Sequence, residues 1–386
     1  MNVIKIEPIV RQVIETDNDW KILKQLGKGS YGVVYLAEKK GIQKAIKVIM
    51  YEGKRPDLQA DIEKEIKIMH HLAIKGKCDL IPCVREVYYA DDDPSEEEDY
   101  FSDSKSKTTY YTFLVMDYIQ GIPLKTYWNN LDNPELKVKL IYLVVLALRT
   151  LHYYNILHLD VHGENIMVTD DLHIYFIDFG LACMKDKCWA PFGGLYSPPE
   201  HDNYRVGNEN KQVFSEMSDV YQLGLILSEM IRGETIQPVI YSHNCVSEMD
   251  VVINSLRTFK EYSPWNIIIG QMIKCDLMER PNLDMVIEEY KTGKMFSSKY
   301  ISSYNKKHLK LYKSRESSEI LTSISDNKEP GFDVSKMSDE KDLYETYEDG
   351  ENSEEEYEGE SSSTTSDEDI NNSSEIQSLS DTDEDT

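Results

Sequence analysis

The 386-residue sequence lacks the features that mark several large classes of protein. Its longest apolar runs, such as residues 140–148, fall far short of the roughly 20 residues that a membrane-spanning helix needs. The opening MNVIKIEPIV has no charged segment followed by an apolar one, as a secretory leader would. The six cysteines form no CxxC pairs of the kind that bind zinc. These absences favour a soluble intracellular protein with reduced thiols, in the cytoplasm or nucleus. The composition, rich in Ile, Asn, Lys and Tyr with 26 tyrosines, separately suggests a virus-infected host cell as one setting.

The sequence also lacks the basic excess that nucleic-acid binding requires. The formal net charge is −27, and residues 316–386 contribute −22 of it through 25 acidic residues and three lysines. Residues 1–315 therefore carry only −5 and are close to neutral. We expect a monomer with no nucleic-acid partner and no membrane partner.

The acidic tract after residue 315 is rich in Asp, Glu, Ser and Thr, and it buries too little apolar surface to offset chain entropy. We expect this tail to be disordered. One interpretation is a solubilising tail. The other is a regulatory segment modified by an acid-directed kinase, because Ser353, Thr365, Ser380 and Thr382 each have an acidic residue three positions on.

A glycine-rich segment is the first motif along the chain. It is flanked by two β-rich runs, which predict a hairpin whose tip lacks bulky side chains and can cover the phosphates of a nucleotide. A GxGxxG spacing alone is weak evidence, because dinucleotide-binding folds use it before a helix. The candidate nucleotide-binding residues of this segment are Gly27, Lys28, Gly29, Ser30, Tyr31, Gly32, Val33 and Val34.

A lysine on the predicted third strand is the second candidate. Lys47 follows Gly32 by fifteen residues, and the segment DIEKEIKIMHHL after it predicts an amphipathic helix with an apolar stripe at Ile62, Ile66 and Met69. Glu65 lies beside that stripe and can pair with Lys47, with Glu63 as the alternative partner. A solvent-exposed strand lysine is the competing interpretation.

Two more β-rich runs, CVREVYYA and TTYYTFLVMDY, flank an acidic stretch at residues 91–107. We interpret the stretch as a long exposed loop. The second run ends at Met116 and Asp117, and the extended connector that follows contains Ile119. Free backbone groups in such a connector can bind the edge of an adenine.

The stretch HLDVHGEN, at residues 158–165, is followed thirteen residues later by Asp178-Phe179-Gly180. A long apolar pattern at residues 134–153 predicts a buried helix before it, and short apolar runs precede both motifs. Asp160 is suited to orient a hydroxyl, and Asn165 and Asp178 offer the oxygen ligands that magnesium prefers. This combination indicates phosphoryl transfer from ATP.

Together these motifs resemble the protein kinase family from about Trp20 to Tyr290, and later residues extend the resemblance. YSPPE ends at Glu200, the apolar run SDVYQLGLILSEM contains Asp219, and Arg280 stands where the family pairs an arginine with that glutamate. The resemblance implies an α+β, bilobal fold with a small β-rich N-lobe carrying one helix and a larger α-helical C-lobe. The implied boundaries are an N-terminal extension without clear pattern (1–17), a kinase domain (18–292, N-lobe about 18–116, C-lobe about 120–292) and a disordered acidic tail (293–386).

The resemblance also implies a role for each candidate residue. Asp160 would accept the proton of the substrate hydroxyl, Lys47 would hold the α- and β-phosphates, and Glu65 would hold Lys47. Two magnesium ions would bind to Asn165 and Asp178. The adenine would lie between Val34, Ala45 and Met167, with Met116 behind it, and His158, Phe179 and Met69 would belong to a hydrophobic column joining the lobes.

The sequence departs from the family in three places. Leu159 replaces an arginine that commonly grips a phosphate on the activation segment, and residues 181–199 offer only Tyr196 and Ser197 as hydroxyl acceptors. His162 stands where serine/threonine kinases usually carry a lysine that steadies the γ-phosphate. PFGGLYSPPE lacks a threonine that usually accompanies serine/threonine specificity, although Glu164 fits that specificity better than tyrosine kinase activity.

Three functional hypotheses follow. The first is an ATP- and Mg²⁺-dependent protein kinase acting on serine or threonine of protein substrates, in which Asp160, Lys47, Asn165 and His162 form the catalytic set. The second is a catalytically silent kinase-like scaffold, suggested by Leu159 and His162. The third is a small-molecule phosphotransferase, suggested by His162 alone.

Overall fold

The computed structural model describes residues 7–29, 32–92, 108–185, 188, 196–204, 213–236, 245–310 and 312–313. All of them belong to the first of the two units into which the chain divides, residues 1–337. Several predicted features lie outside the described residues: Ser30 and Tyr31, most of the acidic loop (93–107), and the tail from residue 314 with its four candidate phosphorylation sites.

The first lobe is built on an antiparallel sheet of five strands. These are β1 (Lys21–Lys28), β2 (Gly32–Lys39), β3 (Ile42–Glu52), β4 (Val84–Asp92) and β5 (Thr109–Asp117). Their order across the sheet is β1-β2-β3-β5-β4. The two β-rich runs on either side of the acidic loop are therefore paired neighbours, as a hairpin requires.

The central strand β3 shows how the two-residue period of a strand assigns its side chains to opposite faces. Ile46 and Val48 are buried in an outer cluster on one face. Ala45 and Ile49 belong to the main core on the other face. Lys47 is two residues from both Ala45 and Ile49 and so shares their face, which is the face that looks toward the second lobe.

The described residues before β1, from residue 7, are folded, which corrects the expectation of an N-terminal extension without pattern. A short helix α1 (Pro8–Arg11) continues into a wider helical turn (Gln12–Asp17). Val10, Val13 and Ile14 are buried in the outer cluster of the sheet. The segment is too short for a helical period to show in the sequence, and it gains its stability from the sheet that it covers.

Helix α2 (Pro56–Ile74) carries the glutamate that was predicted to pair with the strand lysine. Its buried stripe differs from the predicted one, because Ile66 is only half buried and Glu65 itself is buried. The buried residues are Ile62, Glu65, Ile68, Met69 and Leu72. A carboxylate on the buried stripe of a helix needs a partner, and Lys47 on the facing strand is the candidate.

The second lobe is mainly helical. Its helices are α3 (Leu124–Asn129), α4 (Pro134–Tyr153), α5 (Glu216–Arg232), α6 (Cys245–Leu256), α7 (Trp265–Met272), α8 (Leu283–Thr292) and α9 (Ser298–His308). Helix α4 has the predicted bounds. Helix α5 is buried on all sides, with only its first residue and its last exposed to any extent, so it forms the central pillar of this lobe.

Short strands and turns connect these helices. A small sheet has the order β6 (Gly121–Pro123), β8 (Ile166–Thr169), β9 (Ile174–Phe176), while β7 (Ile156–Leu157) pairs with β10 (Cys183–Met184), and β11 (Val213–Phe214) pairs with β12 (Tyr312–Lys313). Single 3₁₀ turns span Pro199–Tyr204, Lys260–Tyr262 and Leu277–Glu279. The HLDVHGEN stretch is the loop between β7 and β8.

The predicted α+β arrangement of a β-rich lobe and a larger helical lobe is confirmed. Within the described part of the chain, none of the helices is both long enough and apolar enough to span a bilayer.

Part of the segment assigned to the disordered tail is folded. Helix α9 buries Ile301, and the Asn305 side chain donates hydrogen bonds to the carbonyl oxygens of Met278 (3.0 Å) and Arg280 (2.9 Å). Only two of its eleven residues are buried, and one of these, Asn305, is polar, so the helix contributes little to the apolar core. The tertiary contacts of these two residues stabilise a helix that composition alone does not predict.

The expectation of reduced thiols is wrong for this structure, in which all six cysteines form disulfide bonds. The pairs are Cys78–Cys83, Cys183–Cys188 and Cys245–Cys275, with Cα separations of 5.3, 5.0 and 6.1 Å. These separations suit disulfide geometry. Spacings of five and thirty residues do not reveal such proximity, because it depends on how the chain turns and packs. The predicted cellular compartment remains a prediction.

The contacts of α9 predict that Ile301→Ala lowers the free energy of unfolding by about 2–4 kcal/mol, because it leaves a cavity under the helix. Chemical denaturation measures the change. Ser303→Ala, on the exposed side of the same helix, is the matched control and should change stability by less than about 0.5 kcal/mol. Equal stability of the Ile301 variant and the wild type would show that α9 does not dock in solution.

Candidate active site

Three charged residues meet between the two lobes. Lys47 Nζ lies 2.7 Å from Glu65 Oε1 and 3.1 Å from Asp178 Oδ1. The partner on α2 is Glu65 and not the alternative, Glu63, which is exposed. Burial alone lowers the pKa of the Lys47 ammonium, but the two carboxylates outweigh burial and raise that pKa above its usual value. Lys47 is therefore a fixed positive charge that links the sheet, α2 and the second lobe.

The glycines of the β1–β2 hairpin have two different functions in the structure. A Cβ at Gly32 would lie 2.0 Å from the carbonyl oxygen of Val48, so this glycine is required by the close approach of β3. At Gly27 and Gly29, no atom of the described chain lies within 4 Å of such a Cβ. Lys28 pairs with Val33 across the hairpin. The hairpin thus leaves open space beside its first two glycines, as a phosphate-covering loop requires.

Four of the predicted adenine-contacting residues occupy suitable positions in the two lobes. Ala45 and Met116 are direct partners across β3 and β5, and Val34 is the partner of Lys47 across β2 and β3. Met167 lies in β8 of the second lobe. Val33 differs, because its side chain is buried in the outer cluster of the sheet. Only the backbone of Val33 is available to a nucleotide.

The Asp117 carboxylate and backbone N–H both make contacts within the first lobe. The carboxylate accepts hydrogen bonds from Lys44 (2.5 Å) and Arg85 (2.5 Å), and the backbone N–H donates to the carbonyl oxygen of Cys83 (3.0 Å). These contacts fix the end of β5, so the side chain of Asp117 anchors the connector between the lobes. Ile119 lies in that connector, outside the sheet.

The loop between β7 and β8 holds Asp160 and Asn165 together. The Asn165 amide donates to the carbonyl oxygen of Asp160 and to its carboxylate oxygen Oδ2, each at 3.0 Å. His162 Nδ1 accepts a hydrogen bond from the Glu164 backbone N–H (3.2 Å), which places the proton of a neutral ring on Nε2. That nitrogen lies 3.6 Å from Asp160 Oδ2. The predicted catalytic residues of this loop are therefore neighbours.

His158 and Phe179, which were predicted to belong to the hydrophobic column, are in contact. His158 is fully buried, with its ring 5.1 Å from that of Phe179 and 5.4 Å from that of Phe176. Burial lowers the pKa of His158 below its ordinary value. The neutral ring donates from Nε2 to the carbonyl oxygen of Ile177 and accepts at Nδ1 from the backbone N–H of Asp160. His158 thus connects the loop to the segment that ends in Asp178.

The loop between β7 and β8, residues 158–165, is called the catalytic loop below. Side chains of helix α5 attach it to that helix. Asp219, fully buried, accepts from the backbone N–H groups of His158 (2.9 Å) and Leu159 (2.7 Å). Gln222, three residues later, accepts from the N–H of Val161 and donates to the carbonyl oxygen of Leu159, each at 3.1 Å. Gln222 is not among the residues predicted from the sequence. Its spacing from Asp219, one helical turn, was the available signal.

Leu159 fills the place of the family's arginine with apolar contacts. Its side chain is buried in a small cluster with Leu157, Cys183, Cys188 and Phe214. The Cys183–Cys188 disulfide joins two members of this cluster. The start of the activation segment is therefore closed on itself by the disulfide and packs against Leu159 through apolar contacts, where the family commonly uses an arginine and a phosphate.

The residues predicted to bind magnesium offer oxygen atoms. The Asn165 nitrogen donates to Asp160, so its Oδ1 remains available, and the half-exposed Asp178 carboxylate has a lowered pKa because Lys47 outweighs the effect of burial. Such oxygens suit Mg²⁺. Among the described residues, the only cluster of three potential metal ligands is Cys78, Cys83 and Asp117, whose cysteines are disulfide-bonded and whose carboxylate is ion-paired.

A buried ion pair supports the region after the activation segment. Arg280, fully buried, donates to both carboxylate oxygens of Glu200 at 2.7 and 2.8 Å, as the family resemblance implies. Tyr196 is buried nearby, and its hydroxyl donates to Glu229 (2.9 Å). Burial and this carboxylate raise the pKa of Tyr196. The phenol is therefore a neutral structural donor within the helical lobe.

Comparison with known proteins gives a consistent result. The family model for the protein kinase domain matches residues 20–320. Serine/threonine-protein kinase ssp1 of Schizosaccharomyces pombe is 30% identical over 174 residues, which are 43% of this chain and 24% of that protein. Serine/threonine-protein kinase Sgk1 of Danio rerio is 28% identical over 242 residues, 61% of this chain and 50% of that protein. Serine/threonine-protein kinase PLK4 of Xenopus laevis is 28% identical over 225 residues, which are 57% of this chain and 21% of that protein. The chain spans half or less of the length of these relatives.

The environment of His201 predicts a loss of stability in mild acid. Burial lowers its pKa to about 4, and neither ring nitrogen has a hydrogen-bond partner among the described residues. The unfolded chain takes up this proton near pH 6.5, whereas the folded chain does so only near pH 4. The contribution is therefore complete above pH 6.5 and is lost as the pH falls, by about 2 kcal/mol between pH 7 and 5.

Urea denaturation at a series of pH values measures this effect. His201→Leu removes the titrating group, so its free energy of unfolding should fall by about 2 kcal/mol less than that of the wild type between pH 7 and 5. Parallel curves for the two proteins would contradict the buried, neutral state of His201.

Proposed function

Because the chain belongs to the protein kinase family, we propose that it transfers the γ-phosphoryl group of ATP to serine and threonine hydroxyls of protein substrates. The observation that carries the proposal is the ion-paired link from Lys47 to both Glu65 and Asp178. Phosphoryl transfer depends mainly on positioning and on charge stabilisation. A lysine held by two carboxylates, opposite a loop that presents Asp160, supplies both.

Asp160 is proposed to orient the substrate hydroxyl and to accept its proton as the new bond from that oxygen to the γ-phosphorus forms and the bond from the γ-phosphorus to the departing ADP oxygen breaks. Asn165 assists by holding the Asp160 carboxylate and by offering its own oxygen to a cation. Lys47 is proposed to hold the α- and β-phosphates. Magnesium, when bound to Asn165 and Asp178, supplies neutralisation of phosphate charge.

His162 is proposed to steady the γ-phosphate in place of a lysine. Its Nε2 proton is directed to the side of Asp160, because Nδ1 is occupied by the Glu164 N–H. A neutral imidazole donates one hydrogen bond there and carries no fixed charge. The site therefore relies more on Lys47 and on bound cations than a site with a lysine at this position.

Protein substrates are favoured by the buried support of the region after the activation segment. The Glu200–Arg280 ion pair and the Tyr196–Glu229 hydrogen bond make that region part of the folded lobe. A small-molecule phosphotransferase has no need of such a platform. The curated relatives carry serine/threonine-protein kinase in their names, which supports a hydroxyl of serine or threonine as the acceptor.

The proposal predicts that purified protein with Mg²⁺ and labelled ATP transfers label to generic protein substrates such as casein or basic protein. Lys47→Met and Asp160→Asn should each reduce the rate by at least about 100-fold, because each removes a group that acts on the reacting phosphate or hydroxyl. Lys21→Met is the control and should keep the wild-type rate, since Lys21 belongs to the same sheet and is exposed at the start of β1.

Small alcohols and sugars are offered in parallel with the proteins. Transfer to them but not to proteins would indicate the small-molecule phosphotransferase. Thermal stabilisation by Mg·ATP without any turnover would indicate the scaffold. Label on tyrosine alone, measured by phosphoamino-acid analysis, would contradict the proposed acceptor.

Activity is also predicted to be independent of phosphate on the activation segment. Leu159 is buried among apolar side chains and offers no charge to a phosphate, and the Tyr196 hydroxyl is buried against Glu229. Phosphatase treatment should therefore change the rate by less than about twofold, a difference too small to reflect a lost structural anchor. Mass spectrometry of residues 181–199 reports their phosphate content. A rate that falls in step with loss of phosphate from Tyr196 or Ser197 would contradict this prediction.

A further inference from the structure

Two residues of helix α5 bind the backbone around Asp160, and they do so on different groups. Asp219 accepts from the N–H groups of His158 and Leu159, before the catalytic carboxylate. Gln222 contacts both sides of it: Nε2 donates to the carbonyl oxygen of Leu159, and Oε1 accepts from the N–H of Val161, each at 3.1 Å. The amide of Gln222 therefore spans the peptide groups that flank Asp160.

The residue before Asp160 adopts an unfavourable backbone conformation. Leu159 has φ of 61°, in the left-handed region, which is uncommon for a residue with a branched side chain. Such a conformation persists only where the surroundings determine it. Both backbone polar groups of Leu159 are held by α5: the N–H by Asp219 and the carbonyl oxygen by Gln222.

We propose that Gln222 is a positioning residue for the phosphoryl-transfer reaction, which it serves by clamping the two peptide groups on either side of Asp160. This inference rests on the proposed function. An amide side chain suits this arrangement, because its nitrogen donates to the Leu159 carbonyl oxygen while its oxygen accepts from the Val161 N–H. A carboxylate accepts only, and an apolar side chain does neither.

A buried glutamine that merely satisfies its own hydrogen bonds is the competing explanation, since Gln222 is only 1% exposed. The two explanations differ in the effect that loss of the amide should have. A structural role alone lowers stability. A positioning role moves the Asp160 carboxylate relative to the substrate hydroxyl, and a displacement of about 1 Å costs up to about 100-fold in rate.

Gln222→Met is the first test, because methionine keeps the length of the side chain and removes both hydrogen bonds. The expected result is a kcat reduced about 10- to 100-fold, with KM for ATP within about threefold of the wild type, because the nucleotide is held by Lys47 and the hairpin. The control, Ser228→Ala, removes a buried hydrogen bond of the same helix (to the Gly224 carbonyl, 2.7 Å) that does not reach the loop. It should keep the wild-type kcat.

Gln222→Glu is the second test and gives a readout that a structural role would not produce. Its ionised carboxylate still accepts from Val161 but faces the Leu159 carbonyl oxygen without a proton to donate. The protonated carboxyl makes both bonds, and burial close to Asp219 favours that form. The ratio of variant to wild-type kcat should therefore rise as the pH is lowered from 8 to 6.

Hydrogen exchange separates this inference from the proposed function. Amides in a peptide covering residues 157–163 should exchange faster in Gln222→Met than in the wild type, whether or not the protein transfers phosphate. Unchanged exchange in a folded Gln222→Met protein overturns the clamp. A kcat within threefold of the wild type, or a flat ratio for Gln222→Glu, also overturns it. Absence of activity in the wild type overturns the proposed function alone, and exchange then decides the clamp.

Discussion

The buried carboxylate of Asp219 is the constraint on which the rest of the site depends. Burial alone raises its pKa, but the hydrogen bonds from His152 (2.8 Å) and from the His158 backbone N–H outweigh burial and lower it. An ion with no exposure must have every lone pair satisfied, because an unpaired buried charge is very costly. The catalytic loop supplies two of the donors, the backbone N–H groups of His158 and Leu159. Separation of the loop from helix α5 would therefore leave the buried carboxylate without these hydrogen bonds.

Other contacts extend from that fixed loop to the nucleotide-facing sheet. His158 joins the loop to the segment before Asp178, and Asp178 contacts Lys47 on β3. Lys47 in turn pairs with Glu65 on α2. One connected set of hydrogen bonds and ion pairs thus runs from the centre of the helical lobe to the sheet. At Leu159, where the family commonly uses a charged clamp, the same region is completed by apolar packing and the Cys183–Cys188 disulfide.

Most of the site could be predicted because its residues occur in contiguous motifs with a direct chemical meaning. The strand period and the helix period narrowed the partner of Lys47 to Glu65 or Glu63, and the burial of Glu65 in the structure decided between them. Asp117 and Val33 were harder to assign. The ion partners of the Asp117 carboxylate come from other strands of the sheet. The burial of Val33 depends on which face of the sheet the N-terminal helix covers. Both depend on segments that are distant in the sequence. The disulfide bonds and helix α9 were missed for the same reason.

The sequence by itself indicated the protein kinase family, the two-lobed α+β fold and the order of the elements, because hydrophobic period and short motifs are local properties. Only the tertiary structure decided how the catalytic loop is held. The positive φ of Leu159, its burial against the cysteine pair and the contacts of Gln222 on both sides of Asp160 arise where α5 meets a loop some sixty residues earlier in the chain. Hydrogen bonds between residues about sixty positions apart depend on how the helix and the loop pack together. A local sequence pattern does not contain that information.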